Sequence, residues 1–152
     1  MEADRLTDAD ELLREVVYRS RERQAGVAAF PATPGDAGRG RCGLGERAAV
    51  DLDLSPRGVE LYARIFAADP SPARLAEVQA AMSAWVERQD ALDRKRNHFL
   101  KDFRHRHGFD RASYSAELLA EFEGGLARIG TEEDAERRRA AEQVVALAER
   151  AG

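Results

Sequence analysis

The side chains of this sequence best placed to do chemistry crowd into Arg94 to His107, RKRNHFLKDFRHRH. Within it His98, Asp102 and His105 stand at i, i+4 and i+7, so a helix would carry them on one face. Two imidazoles and a carboxylate at that spacing can ligate Zn²⁺ or a similar ion. The surrounding arginines and lysines repel an added cation, and no Cys or His-Glu-x-x-His accompanies the three. A solvated face is therefore the stronger expectation, and no cofactor is expected.

The same segment offers Arg94, Lys95, Arg96, Lys101, Arg104 and Arg106 to phosphates or to an acidic partner, with Phe99 and Phe103 between them. Six basic residues against one acid make it +5 with histidines neutral, so the remaining chain is −9 against an overall −4. On a helical wheel these cations encircle the helix. They also sit at its carbonyl end, where the dipole disfavours anions and suits cations. The expectation is that this helix end pairs with the acidic stretches that follow it.

Other candidates are weaker. Gly38 to Gly43 fits G-x-G-x-x-G by letter, but no strand precedes it and no helix follows, so the phosphate-binding context is missing. Cys42 lies beside Arg39 and Arg41, which favours a thiolate, yet no histidine is near it in sequence. Asp51 and Asp53 form a D-x-D pair that an extended segment would turn to one side. Such a pair can bind Mg²⁺, though it equally marks the wet edge of an amphipathic stretch. No nucleophile–base pair emerges and no catalytic residue is assigned, which leans the reading away from an enzyme.

These residues need helices to position them, and the sequence supplies the punctuation. Thr7 with Asp10 reads as a capping box opening a first helix, and Gly26 reads as its end. Ser55-Pro56 and Ser71-Pro72 each read as an N-cap followed by proline at the first helical position. From Leu75 the residues Val78, Met82, Trp85, Gln89, Leu92, Arg96, Phe99 and Phe103 follow at alternating steps of three and four. That is a heptad stripe on a helix of about 72–107, with Gly108 as its stop. Gln89 and Arg96 hold positions that normally take apolar side chains, which marks them as residues setting the specificity of a helix interface. A fourth helix begins near Ser113 or Ser115, weakened at Gly124-Gly125 and ended by Gly130. Thr131 with Asp134 then opens a fifth.

The fold class expected is all-α, a bundle of about five helices around one long central helix. Residues 1–29 form an N-terminal helix, 30–49 a flexible linker rich in Gly and Pro, and 50–152 the helical-bundle domain. Composition agrees with a compact soluble chain: 43% hydrophobic, 34% charged, with a mean hydropathy of −0.55. The 22 arginines against two lysines, beside 28 alanines, follow GC-rich coding and carry little functional weight. No apolar run reaches a membrane span, the first residues lack the apolar core of a secretory signal, and a single cysteine fits a reducing cytoplasm.

The function expected is a non-enzymatic helical interaction or oligomerisation module, an accessory subunit. Its partner, another protein or a second copy, would engage the heptad face of the long helix. A nucleic-acid-associated protein using 94–107 is the alternative, and a small metal-dependent enzyme at His98, Asp102 and His105 is a further one.

Overall fold

A computed structural model describes residues 2–26, 52–66 and 71–150 of the chain. The chain is all-α. Among the described residues four helices run in the order α1 (Glu2–Gln24), α2 (Pro56–Ile65), α3 (Pro72–His107) and α4 (Ala116–Glu149). A 3₁₀ turn, Arg111–Ser113, precedes α4, and no strand occurs among these residues. No described helix is long and apolar enough to cross a membrane. The expected linker at 30–49, Cys42, the glycine motif at 38–43 and Asp51 lie outside the described residues.

The helix ends follow local chemistry. Ser55 Oγ accepts the Gly58 amide at 3.0 Å, and Pro56, which has no amide hydrogen to satisfy, opens α2. Ser71 accepts the Arg74 amide at 3.2 Å to start α3, and Ser115, rather than Ser113, accepts the Leu118 amide at 3.1 Å to start α4. Gly26 and Gly108 close α1 and α3 at φ values of 69° and 95°, in the left-handed region that favours glycine.

Two expected boundaries are absent, and the described residues form four helices where the sequence suggests five. Helix α4 runs unbroken through Gly124, Gly125, Gly130 and Thr131. The Thr131 hydroxyl donates to the Ala127 carbonyl at 3.0 Å, one turn back, so it serves an existing helix instead of capping a new one. Likewise α1 begins at Glu2, which leaves Thr7 inside the helix. Asp53 also departs from the extended reading. It sits in a turn at φ 51°, where its carboxylate meets Arg23 at 2.6 Å and Arg19 at 3.6 Å.

Helix packing divides the chain into two compact units, Met1–Val86 with Arg137–Gly152, and Glu87–Glu136. The first has a continuous apolar core. Leu12, Leu13 and Val17 come from α1, Leu61, Tyr62 and Ile65 from α2, Val78, Met82 and Trp85 from α3, and Val144, Val145 and Leu147 from α4. Tyr62 and Phe66 stack at 4.3 Å. Each such side chain contributes roughly 1.5–3 kcal/mol by leaving water, which is why α1, with its apolar residues at 9, 12, 13, 16 and 17, is held there.

The second unit is a helical hairpin. Its interior holds Leu92, Phe103, Phe122 and Ile129, all nearly inaccessible. Phe103 is the hub of an aromatic cluster, with centroids 5.0 Å from Phe122, 5.7 Å from Phe99 and 5.7 Å from Tyr114. The Tyr114 hydroxyl donates to the Gly108 carbonyl at 2.6 Å and ties the connecting turn to that cluster.

Candidate functional site

The basic segment lies on the last turns of α3 in the second unit, and the fold divides its cations into two sets. The first set is engaged by the chain itself. Lys95 meets Glu132 at 2.6 Å, and Arg96 meets both Asp93 and Glu133 at 3.0 Å. Two turns earlier, Arg88 grips Glu136 through two nitrogens at 2.5 and 2.6 Å. Those hydrogen bonds, opposed by partial burial, raise its guanidinium above the ordinary arginine value. Arg106 meets Asp102 at 2.7 Å within α3. The acceptors Glu132, Glu133 and Glu136 belong to the acid-rich stretch of α4, the stretch expected to balance this helix end.

Gln89 and Arg96, the two polar residues of the heptad stripe, share two partners. Gln89 Nε2 donates to Glu133 at 2.6 Å and to Asp93 at 3.2 Å, and Arg96 reaches the same two carboxylates. Apart from the half-buried Phe99, the rest of the stripe is covered by side chains of this chain. Leu75, Val78, Met82 and Trp85 lie within the first unit's core, and Leu92 and Phe103 are buried in the second.

The second set is left in solvent. Arg94, Asn97, His98, Lys101, Arg104 and His105 are all exposed. Their spacing, i, i+3, i+4, i+7, i+10 and i+11, makes them one stripe on the side of α3 opposite Leu92, Phe99 and Phe103. Arg94, Lys101 and Arg104 hold no ion pair among the described residues, and the stripe contains no acid. The encirclement seen on the helical wheel is thus resolved into one cationic face. Internal pairing removes Lys95, Arg96 and Arg106, which flank or enter the apolar side. The stripe spans about 15 Å from Arg94 to Arg104 at 1.5 Å per residue. On the same side, one and two turns earlier, stand the acids Asp90 and Glu87.

Asp102 is engaged by Arg106, and among the described residues no group of three or more His, Cys, Asp or Glu side chains is placed to hold an ion. His98 and His105 belong to the exposed stripe.

Sequence reasoning missed Arg128, an exposed cation on α4, because it stands inside the expected fourth helix as a lone basic residue with no cluster around it. Gly125, Arg128, Ile129 and Glu132 recur at steps of three, one and three, and read as one face they would have pointed to it. Phe109, just beyond α3, leaves 80% of its surface in water. Comparisons with protein-family models, curated proteins and solved structures return no match.

Proposed function

We propose that this chain is a non-enzymatic α-helical interaction module, a cytoplasmic accessory subunit that docks an acidic protein segment on the stripe formed by Arg94, Lys101 and Arg104. The observation that carries the reading is selective pairing. The second unit neutralises its cations toward α4 and leaves three permanent charges, with their histidine neighbours, on one solvent face. Ordered charge of one sign steers and orients a partner of opposite sign. The partner sits on this face because the heptad face, apart from the half-buried Phe99, is covered by the chain itself.

Length and borders favour an acidic protein segment over nucleic acid. The cationic stretch is about 15 Å long, and Asp90 and Glu87 continue the same side of the helix. A short acidic helix ends before them, whereas a long phosphate backbone runs onto them. A partner helix antiparallel to α3 also sets its positive dipole end against the carbonyl end of α3.

Fluorescence anisotropy separates the two classes, using a labelled glutamate-rich helical peptide of about 20 residues and a single-stranded RNA of about 20 nucleotides. The peptide is expected to bind. Combined Arg94→Glu, Lys101→Glu and Arg104→Glu substitution is expected to weaken it by at least about tenfold. Tight RNA binding with a steep salt dependence, and none by the peptide, would sink the protein-partner reading in favour of nucleic acid.

A further inference from the structure

Beside the cationic stripe, within the second unit, a groove of about 460 Å³ opens between α3 and α4. Its floor is apolar: the Phe99 ring lies against the Gly125 backbone, with Ile129 next to it. The Phe99 ring fits there because residue 125 has no side chain, since a Cβ at that position would overlap it. The groove is open to solvent, and its volume has room for one large side chain.

The rim carries both signs of charge, but its acids are engaged. Asp102 is held by Arg106 at 2.7 Å, and Glu132 by Lys95 at 2.6 Å and Arg88 at 3.4 Å. Arg128 and His98 remain exposed, and Arg128 has no ion pair among the described residues. The available charge around an apolar floor is therefore positive. His98 belongs to the groove and to the stripe together, so the two surfaces are continuous.

We infer that this groove is the anchor point of the docking surface. It takes one apolar or aromatic side chain of the acidic segment, whose adjacent carboxylate lies on Arg128 while further carboxylates lie on Arg94 and Lys101. This assignment rests on the acidic-partner reading and adds to it an apolar specificity. The floor supplies desolvation for one side chain, and Arg128 supplies a planar, forked donor for the carboxylate beside it. Charge alone would accept any acidic stretch. The groove selects one with an apolar residue among its acids.

The test uses the full chain, ¹⁵N-labelled, titrated with two capped tripeptides, acetyl-Glu-Phe-Glu-amide and acetyl-Glu-Ala-Glu-amide. The phenylalanine peptide is expected to shift the amides of Gly125, Arg128 and Ile129 saturably, together with those of Arg94 and Lys101. The alanine peptide is expected to shift only the stripe. Arg128→Glu, at an exposed site without an ion pair, is expected to weaken the groove response at least about fivefold and spare the stripe. If both peptides shift the stripe alone, the anchor is overturned and the acidic-partner reading stands. Groove shifts with a silent stripe would keep the anchor and remove the charged docking face. Equal responses by the two peptides, groove shifts that survive Arg128→Glu, or no shifts at all would overturn the anchor.

Discussion

Arg137 Nε donates to Asp10 Oδ1 at 2.6 Å, joining α4 to α1 across 127 positions of the chain. Arg137 is one of two polar residues buried among those described, with 8% of its surface exposed. Its guanidinium has lost its water, and the carboxylate replaces part of that hydration. Asp10 keeps about a third of its side chain in solvent and also meets Arg14 at 3.0 Å, so the pair is partly screened. Arg137→Ala is expected to lower stability by about 1.5–3 kcal/mol, the range for a hydrogen bond to a charged group. Arg137→Met, which keeps the apolar stem without the charge, should lose less. Urea denaturation of both variants measures this, and equal losses would assign the effect to the ion pair alone, with no contribution from packing of the stem.

Three glycines of α4 should respond to alanine with opposite signs. Around Gly124 and Gly130 an added Cβ meets nothing within 4 Å. Each therefore keeps only the entropic cost of glycine in a helix, and Gly124→Ala and Gly130→Ala are each expected to stabilise by about 0.5–1 kcal/mol. At Gly125 the new Cβ would overlap the Phe99 ring, which is fixed against Phe103 and Phe122. Displacing that ring should cost about 1–3 kcal/mol, as overpacking does elsewhere. Thermal melts give the three signs. Repeating Gly125→Ala in a Phe99→Leu background should shrink its penalty, and an unchanged penalty would refute steric overlap as the cause.

The exposed stripe should be separable from the fold. Because Arg94, Lys101 and Arg104 hold no ion pair among the described residues, reversing all three to Glu removes no mapped contact. The melting temperature is expected to change by no more than a few degrees, within the usual range for surface substitutions. Lys95→Glu and Arg96→Glu set like charges against Glu132 and Glu133 and should cost more. A large drop in the first triple variant would mean that the stripe stabilises this fold and is not free for a partner.

What the sequence disclosed is what a few neighbouring residues decide. Ser55-Pro56, Ser71-Pro72, Gly26 and Gly108 act as read, because a cap is made by atoms within one turn. Thr131 misled because a threonine hydroxyl satisfies a backbone carbonyl inside a helix as well as an amide at its start. The heptad pattern of α3 was visible, but its cover was not, since amphipathicity says that a face is buried and not by what. The same holds for the site. The cluster at 94–107 was plain, yet which cations remain available depends on Glu132 and Glu133, each 37 positions from its partner. That distance is set by α4 folding back, which no local spacing encodes.

Glu133 concentrates the polar contacts of the heptad stripe and gives the sharpest test of why Gln89 and Arg96 are there. It accepts from Gln89 at 2.6 Å and Arg96 at 3.0 Å, and Gln89 is 7% exposed. Removing this acceptor leaves both donors, which have lost much of their water, with Asp93 alone, so Glu133→Ala is expected to cost about 1–3 kcal/mol. Replacing the group together, with Gln89→Leu, Arg96→Leu and Glu133→Leu, removes the donors and the acceptor at once. Stability should then return to the starting value or exceed it, because an apolar interior of similar volume needs no matched geometry. What should be lost is uniqueness. Leucines tolerate a slip of α4 along α3, while a carboxylate bound by residues seven apart accepts one register. Urea midpoints measure the first effect and amide chemical-shift dispersion of the second unit the other. A triple variant that is both less stable and equally well dispersed would show that the network stabilises the hairpin rather than fixing its register.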